Sequence, residues 1–290
     1  MSFAKSVLRS ALVPCTLLAV LLAVPAAAFN PADSFNDRYE VRLPAVSPQA
    51  APEFAALTAS RTVEQRLASR YGGNWRVHAW NGHTGTPRWV YGTAVRKAAG
   101  IGDEAALRTA ARAVVAENYD VLRADLDALK LEHAPYADGK WAAHLQQYWE
   151  GYPVWQGKVR LVFHENGNLM LMGSEYHRSI ELDPRPTLSA GEAADAARRD
   201  LPYTPELGDS YQVAPELMVL PVRTSASTVQ HHLVYRVEVS TAQPLGDWIT
   251  HVDAHTGEVV WRYNNVHFSF EGSAEAEIQE VSALAESTAR

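Results

Sequence analysis

The chain has 290 residues, 47% of them apolar, and a formal net charge of −7. That composition can fill a packed core and sets aside disorder as the default. The acid excess, with no Lys/Arg run long enough for a basic patch, excludes a general nucleic-acid or anionic-membrane binder.

The first residues read as a secretory signal. Lys5 and Arg9 form a positive start, Ala11 to Val24 an apolar stretch, and Ala26-Ala27-Ala28 a small-residue cleavage site. The expected signal is therefore 1–28, with the mature chain starting at Phe29. The apolar stretch is short for a ~30 Å span, and no stop-transfer flank follows. Taking Lys5 and Arg9 from the 26 basic residues leaves 24 against 33 acids, a mature charge of −9. The one cysteine, Cys15, goes with the signal, so the mature chain holds no disulfide, thiolate metal site or cysteine nucleophile. The expected location is secreted, periplasmic or extracellular, with no membrane attachment after cleavage.

Residues 29–70 are rich in Pro, Ala and Ser without a clean period, which predicts a mostly extended lead segment. A short helix is expected over Thr62 to Tyr71, where Val63, Leu67 and Tyr71 share a stripe and Gly72-Gly73 follows. Trp75, Val77 and Ala79 alternate as a strand. Asn81-Gly82 marks a turn, and Trp89 and Tyr91 lie on the return strand. Asp103 can cap a helix reaching about Asn118, with Leu107, Ala110, Ala111, Val114 and Val115 on its buried stripe.

The middle of the chain reads as an antiparallel meander with one wet face. His144 to Glu150 is a strand, broken by Gly151-Tyr152-Pro153. Val154 to Phe163 follows, and Asn166-Gly167 supplies the positive φ values of a two-residue hairpin before Leu169 to Tyr176 returns. Asp183-Pro184-Arg185-Pro186 punctuates a boundary. Ser189-Ala190-Gly191-Glu192 is a capping box that opens a helix with Ala193, Ala196, Ala197 and Leu201 inward. Strands are then predicted at Glu216 to Val222, His232 to Val239, and Asp247 to Tyr263 folded about Ala254-His255-Thr256-Gly257. Residues 267–290 are acidic and Ala-rich, a tail or the start of a missing downstream domain. One echo is visible: His83-Thr84-Gly85 with Trp89 and Tyr91 matches His255-Thr256-Gly257 with Trp261 and Tyr263, which predicts a repeated hairpin type.

The chemistry-bearing patterns are sparse. A zinc-protease helix needs His at i and i+4 with Glu adjacent. The nearest text, His164-Glu165-Asn166-Gly167-Asn168, lacks the second His and turns. His251 and His255 lie across a strand turn, and His231 and His232 point to opposite faces of a strand. No histidine clusters with carboxylates at ligand spacing. No G-x-S-x-G elbow, phosphate loop or dinucleotide fingerprint occurs. The pairs Asp125/Asp127 and Glu175/Glu181 read as solvated faces, and the eight tryptophans as core and edge packing. The expectation is a chain with no catalytic, cofactor-binding or metal-ligating residue and no cofactor, whose surface does its work.

The stretch His144-Leu145-Gln146-Gln147-Tyr148-Trp149-Glu150-Gly151-Tyr152-Pro153-Val154-Trp155-Gln156-Gly157, continued through Val159 and Asn166-Gly167, resembles the fungalysin/thermolysin propeptide domain. The signature is Tyr148, Gly151, Pro153, Val154 and Gly157 about a turn, then Asn166 and Gly167. The region from Ser189 to Tyr263 resembles a PepSY domain, through Ser189 and Glu192 at the helix start, the strand of Leu233, Tyr235 and Val237, and the hairpin of Asp253, Thr256 and Gly257. The order of the two motifs makes the match. The resemblance implies an α+β fold of antiparallel sheets, each packed by a helix. It implies two small tandem domains, 71–182 propeptide-like and 187–266 PepSY-like. It also implies a non-catalytic pro-region that assists the folding of a zinc metalloprotease catalytic domain and inhibits it, in cis or trans. That catalytic domain, with its His-Glu-x-x-His, is absent from this chain. The alternative is a stand-alone secreted PepSY-type module that binds a protease or works in the envelope.

Overall fold

The computed structural model describes residues 37–45, 53–94, 99–225 and 227–266. The expected signal sequence, parts of the lead segment and the tail 267–290 lie outside them. Among the described residues no helix is long and apolar enough to cross a membrane.

Helix α1 spans Glu53–Tyr71, 19 residues, so the lead segment is not extended over its second half. Its C-terminal stripe of Val63, Leu67 and Tyr71 is buried as the spacing requires. Its first half carries no such stripe, and Leu57 is 58% exposed, so periodicity could not reveal it. Gly72 and Gly73 both take positive φ and end the helix, with Gly72 N donating to Ala68 O. The helix packs on strand β1 (Trp75–Asn81), which pairs antiparallel with β2 (Thr86–Gly92). Glu64 of α1 accepts a hydrogen bond from Val77 N of β1 at 2.9 Å.

Helix α2 (Glu104–Glu117) begins at Asp103, whose carboxylate accepts from Ala106 N at 2.8 Å. Its Leu107, Ala111, Val114 and Val115 are buried. A short helix α3 (Tyr119–Leu122) follows. Strands β3 (Leu129–His133) and β4 (Tyr136–Ala137), which the sequence did not announce, pair with β5 (Lys140–Trp149). Strand β6 (Tyr152–His164) runs antiparallel to β5 and to β7 (Leu169–Ser174). α1, α2 and α3 cover this half, whose core draws on residues from Val63 to Tyr176.

Helix α4 (Ala190–Arg198) opens on the capping box. A two-residue strand β8 (Ser210–Tyr211) precedes β9 (Glu216–Arg223), β10 (Val229–Ala242), β11 (Leu245–Asp253) and β12 (Val259–Asn264). β9 to β12 pair antiparallel in chain order, β8 pairs with β10, and α4 lies against β10 and β11. Ala193, Ala196 and Ala197 of α4 meet Leu233, Val237, Val239 and Trp248 in a second core. Alanine is the size that lets the helix approach the sheet closely, so the larger strand residues fill the layer between.

The expectation of purely antiparallel sheets is corrected at β6. Val154 of β6 bridges Val219 of β9 in parallel, and among the described residues this joins the strands into one 12-stranded mixed sheet. Its main path runs β1-β2-β7-β6-β9-β10-β11-β12, with β5 (carrying β3 and β4) also on β6 and β8 on β10. β6 is long enough to serve both halves. Val159 to Phe163 pair with β7, and the strand's start reaches β9. The fold is α+β on a single mixed sheet with two main apolar cores. A third, smaller core of Met218, Leu220, Val222 and Val234 lies on the sheet's other face, with Trp155, Trp261 and Leu43 packed on it.

The lead segment is tied down at 37–45 as well. Val41 exchanges backbone hydrogen bonds with Arg262 of β12, at 3.1 and 2.9 Å. Arg262 is 2% exposed, and its guanidinium donates to Thr250 Oγ1, Ala197 O and Tyr39 O. One buried cation thereby ties β11, α4 and the lead segment together through satisfied donors.

Candidate functional site

The predicted signature residues fall into three places. Tyr148, Gly151, Pro153, Val154 and Gly157 gather at the β5–β6 connection, beside the seam between the two halves. Trp149 pairs with Tyr152 across Glu150 and Gly151, which both take positive φ, +48° and +89°. That is the backbone of a two-residue type I′ hairpin, and Gly151 occupies one of its two positions. Tyr148 donates to Glu132 at 2.9 Å, and the Lys130 ammonium sits 3.9 Å above its ring.

Beyond Pro153 the strand bulges. Residues 154–157 of β6 stand opposite Gln147 alone, because Gln146 pairs with Lys158 and Tyr148 with Pro153. The bulge turns Val154 inward, 0% exposed, to its bridge with β9. Gln146 fills the gap, its amide Nε2 reaching Val154 O at 2.7 Å, Gln147 O at 3.0 Å and Gly157 O at 3.1 Å. A Cβ on Gly157 would stand 2.8 Å from Gln147 Oε1 and 2.9 Å from Val154 Cβ, so this site has no room for a side chain.

Gln147 does a second job. Its Nε2 donates to His177 O at 2.7 Å, and its Oε1 accepts from His177 N at 2.8 Å. The side-chain amide replaces a strand neighbour for the linker that leaves β7. Tyr152 donates to Pro184 O further along the same linker, at 3.1 Å.

Asn166 and Gly167 lie in the β6–β7 hairpin, away from the seam. The expected two-residue turn is corrected here. His164 N donates to Asn168 O, and Gly167 N to His164 O, which encloses a three-residue loop. Gly167 alone takes positive φ, +87°, and Asn166 does not. Asn166 instead accepts from Asn168 N at 3.0 Å, a local turn bond.

Ser189, Glu192, Tyr235, Asp253, Thr256 and Gly257 gather where the linker enters α4. Ser189 N and Oγ both donate to Glu192 Oε2 at 2.8 Å, and Glu192 N donates back to Ser189 Oγ at 3.3 Å. Those bonds hold the Glu192 carboxyl below its ordinary range. Tyr235 donates to Leu188 O at 2.9 Å, and Ala254 O accepts from Thr187 N and Leu188 N, each at 3.0 Å. Asp253 Oδ1 accepts from His255 N and Thr256 N, while Oδ2 meets His232 Nδ1 at 2.9 Å. Burial by itself would raise this carboxyl, but the His232 bond and the two amides bring it down to about 2. Thr256 Oγ1 accepts from Glu258 N, and Gly257 takes φ +76°.

The echoed text does mark one hairpin type. Gly85 N donates to Asn81 O and Gly257 N to Asp253 O, each across the same four-residue step, and both glycines take positive φ. Gly82, read as part of the first turn's pivot, does not; Gly85 is the left-handed residue. Val90 is buried while Trp89 and Tyr91 point to the other face.

Three histidines converge near the seam. His83 in the β1–β2 turn, His177 on the linker and His231 on β10 stand with His177 central. Its ring centroid is 5.8 Å from His83 and 5.4 Å from His231. Burial, then the neighbouring imidazoles, push His177 down to about 3. Burial also lowers His83 and His231. His251 is a separate case, fully buried, stacked on Trp261 at 4.8 Å, and pushed by burial down to about 4. Sequence reading missed the trio because its members sit on three distant elements and only the fold brings them together. Among the described residues, no group of three or more His, Cys, Asp or Glu side chains is placed to hold a metal ion.

No family model matches the chain. No curated protein matches it. Among solved structures it is similar to the Bacillus megaterium YpeB C-terminal domain, with a TM-score of 0.33 and 13% identity over 63% of this chain and 74% of that one. A likeness at that level speaks to neither activity nor partner.

Proposed function

We propose that the chain is a secreted, non-catalytic pro-region-type module. Its two units are a propeptide-like one up to the linker and a PepSY-like one after it, and it binds and restrains a zinc metalloprotease catalytic domain. One observation carries the reading. Every signature residue that the resemblance singles out is spent on shape: the β5–β6 turn and bulge, the hairpins, the helix cap and the linker anchors. A module that acts by occupying a partner's groove needs a fixed surface and no reactive group.

The physical logic is that of a tether. A covalently linked inhibitor acts at an effective concentration of about 1 mM. With an intrinsic affinity of ~1 μM it would hold a cleft shut by about 4 kcal/mol, and cleavage with dilution would end that hold. The test adds the purified chain from Phe29 onward to thermolysin-like zinc proteases and measures peptide hydrolysis. Dose-dependent inhibition, weakened in a Gly157→Ala variant that still folds, is expected. Unchanged hydrolysis across a panel of such proteases, up to about 100 μM of the chain, would refute the proposal.

A further inference from the structure

The trio of His83, His177 and His231 brings side chains from both halves of the sheet and from the linker into mutual contact. His83 belongs to the first half of the sheet, His231 to the second, and His177 to the linker between them. His177 meets the His231 ring at 90° and the His83 ring at 33°. A cavity of about 290 Å³ opens beside the three rings.

The charges around them give an imidazolium no counter-ion. His83 faces the guanidinium groups of Arg223 and Arg88 and one carboxylate, Glu175. That carboxylate is already engaged by Arg160 at 2.6 Å and Arg88 at 3.2 Å. Arg178 lines the same cavity. His231 has His232 beside it, and His232 is taken up by Asp253 at 2.9 Å. His231 Nε2 is buried without a hydrogen-bond partner, and His177 is 8% exposed. A proton added here would be a buried charge beside cations and a second imidazole.

We propose that this triple contact is an acid-operated latch between the two halves of the sheet. Neutral imidazoles hold the β1–β2 turn and the linker against β10, and protonation parts them. The sign follows from linkage. An opened imidazole takes up a proton near pH 6.5, while the closed trio resists until lower pH. The latch is at full strength above that range and weakens as pH falls through it. The opening is local, because the core under α4 is built from alanines and the apolar face of β10 and β11.

Hydrogen exchange on the full chain at pH 7.5 and 5.0, corrected for intrinsic rates, tests the latch. Peptides covering His83, His177 and His231 should lose protection at least tenfold on acidification, while α4 keeps its own. His83→Gln and His231→Gln, uncharged at both pH values, should shrink that loss. His251→Gln, whose imidazole lies elsewhere, should not. Imidazole proton titration by NMR in the parent chain needs no variant and should place all three histidines below the ordinary range. Histidines that titrate near 6.5, loss of protection spread equally into α4, or Gln variants that open on acid like the parent would each overturn the latch.

Discussion

Replacing Gln147 by Leu isolates what the side-chain amide contributes at the seam. Gln147 is 2% exposed, and its two hydrogen bonds are the partners of the His177 N–H and C=O. Leucine fits the volume but leaves both backbone groups buried without partners. Each orphaned group costs about 1–3 kcal/mol, and the apolar side chain returns part of that. We expect a net loss of about 2–4 kcal/mol. For a chain of this size that lowers Tm by roughly 5–15 °C. Gln147→Glu sharpens the case. At neutral pH the carboxylate still accepts from His177 N but faces the His177 carbonyl with no proton to give. Burial raises the pKa of the new acid above its usual ~4.3, and once protonated it can donate again. The folded state then binds more protons than the unfolded one, so the gap between variant and parent narrows as pH falls. Urea midpoints for the three proteins at pH 5, 6, 7 and 8 read both effects. A leucine variant within about 0.5 kcal/mol of the parent, or a glutamate gap indifferent to pH, would refute the account of Gln147 as the linker's surrogate strand.

Four further outcomes are expected from the same unfolding measurements. Gly157→Ala forces a Cβ against Gln147 and Val154 and should cost about 1–3 kcal/mol, while Gly151→Ala, in open space at φ +89°, should cost about 1 kcal/mol through backbone strain alone. Ser189→Ala removes the hydroxyl that caps α4 and should cost about 1 kcal/mol, with α4 amides exchanging faster. Asp253→Asn should destabilise by about 1–2 kcal/mol at pH 7, allowing for solvent screening. The parent carboxyl, held at about 2, contributes its stability above the usual ~3.8 and loses it as pH falls through 2, so the gap should close over that window.

What could be read from the sequence was local. The α2 stripe, the Asp103 cap, the Ser189–Glu192 box and the repeated His-Thr-Gly hairpin depend on residues within a few positions of one another, and each is present. The strands from β5 onward, except the two-residue β8, were legible because alternation marks a half-buried sheet. The first half of α1 was not, since its sequence carries no clear apolar period and Leu57 stands exposed. At Asn166-Gly167 the dipeptide fits two hairpin types, and only the paired backbone of His164 and Asn168 decides between them. The seam was beyond reach for a different reason. A single parallel bridge from Val154 to Val219 depends on a bulge that four residues of β6 make opposite one of β5. Gln146 and Gln147 read as ordinary strand residues until the carbonyls they meet are known.

The linker shows how the two halves keep their relative orientation. It is gripped at its start by Gln147, midway by Tyr152, and at its end by Tyr235 and Ala254. All of these contacts are hydrogen bonds to linker backbone. Each half meanwhile has its own apolar core, and the linker's Leu182 and Leu188 pack against the second of them. Core packing therefore sets whether each half folds, while the Val154–Val219 bridge, Trp155 on the third core and these directional bonds set how the halves face each other. Hydrogen bonds break singly, at about 1 kcal/mol each, while a packed core yields only as a unit. Changes along the linker should then loosen the arrangement of the halves before they melt either one. A groove-filling module would lose its fit to a partner by the same route, with both of its cores intact.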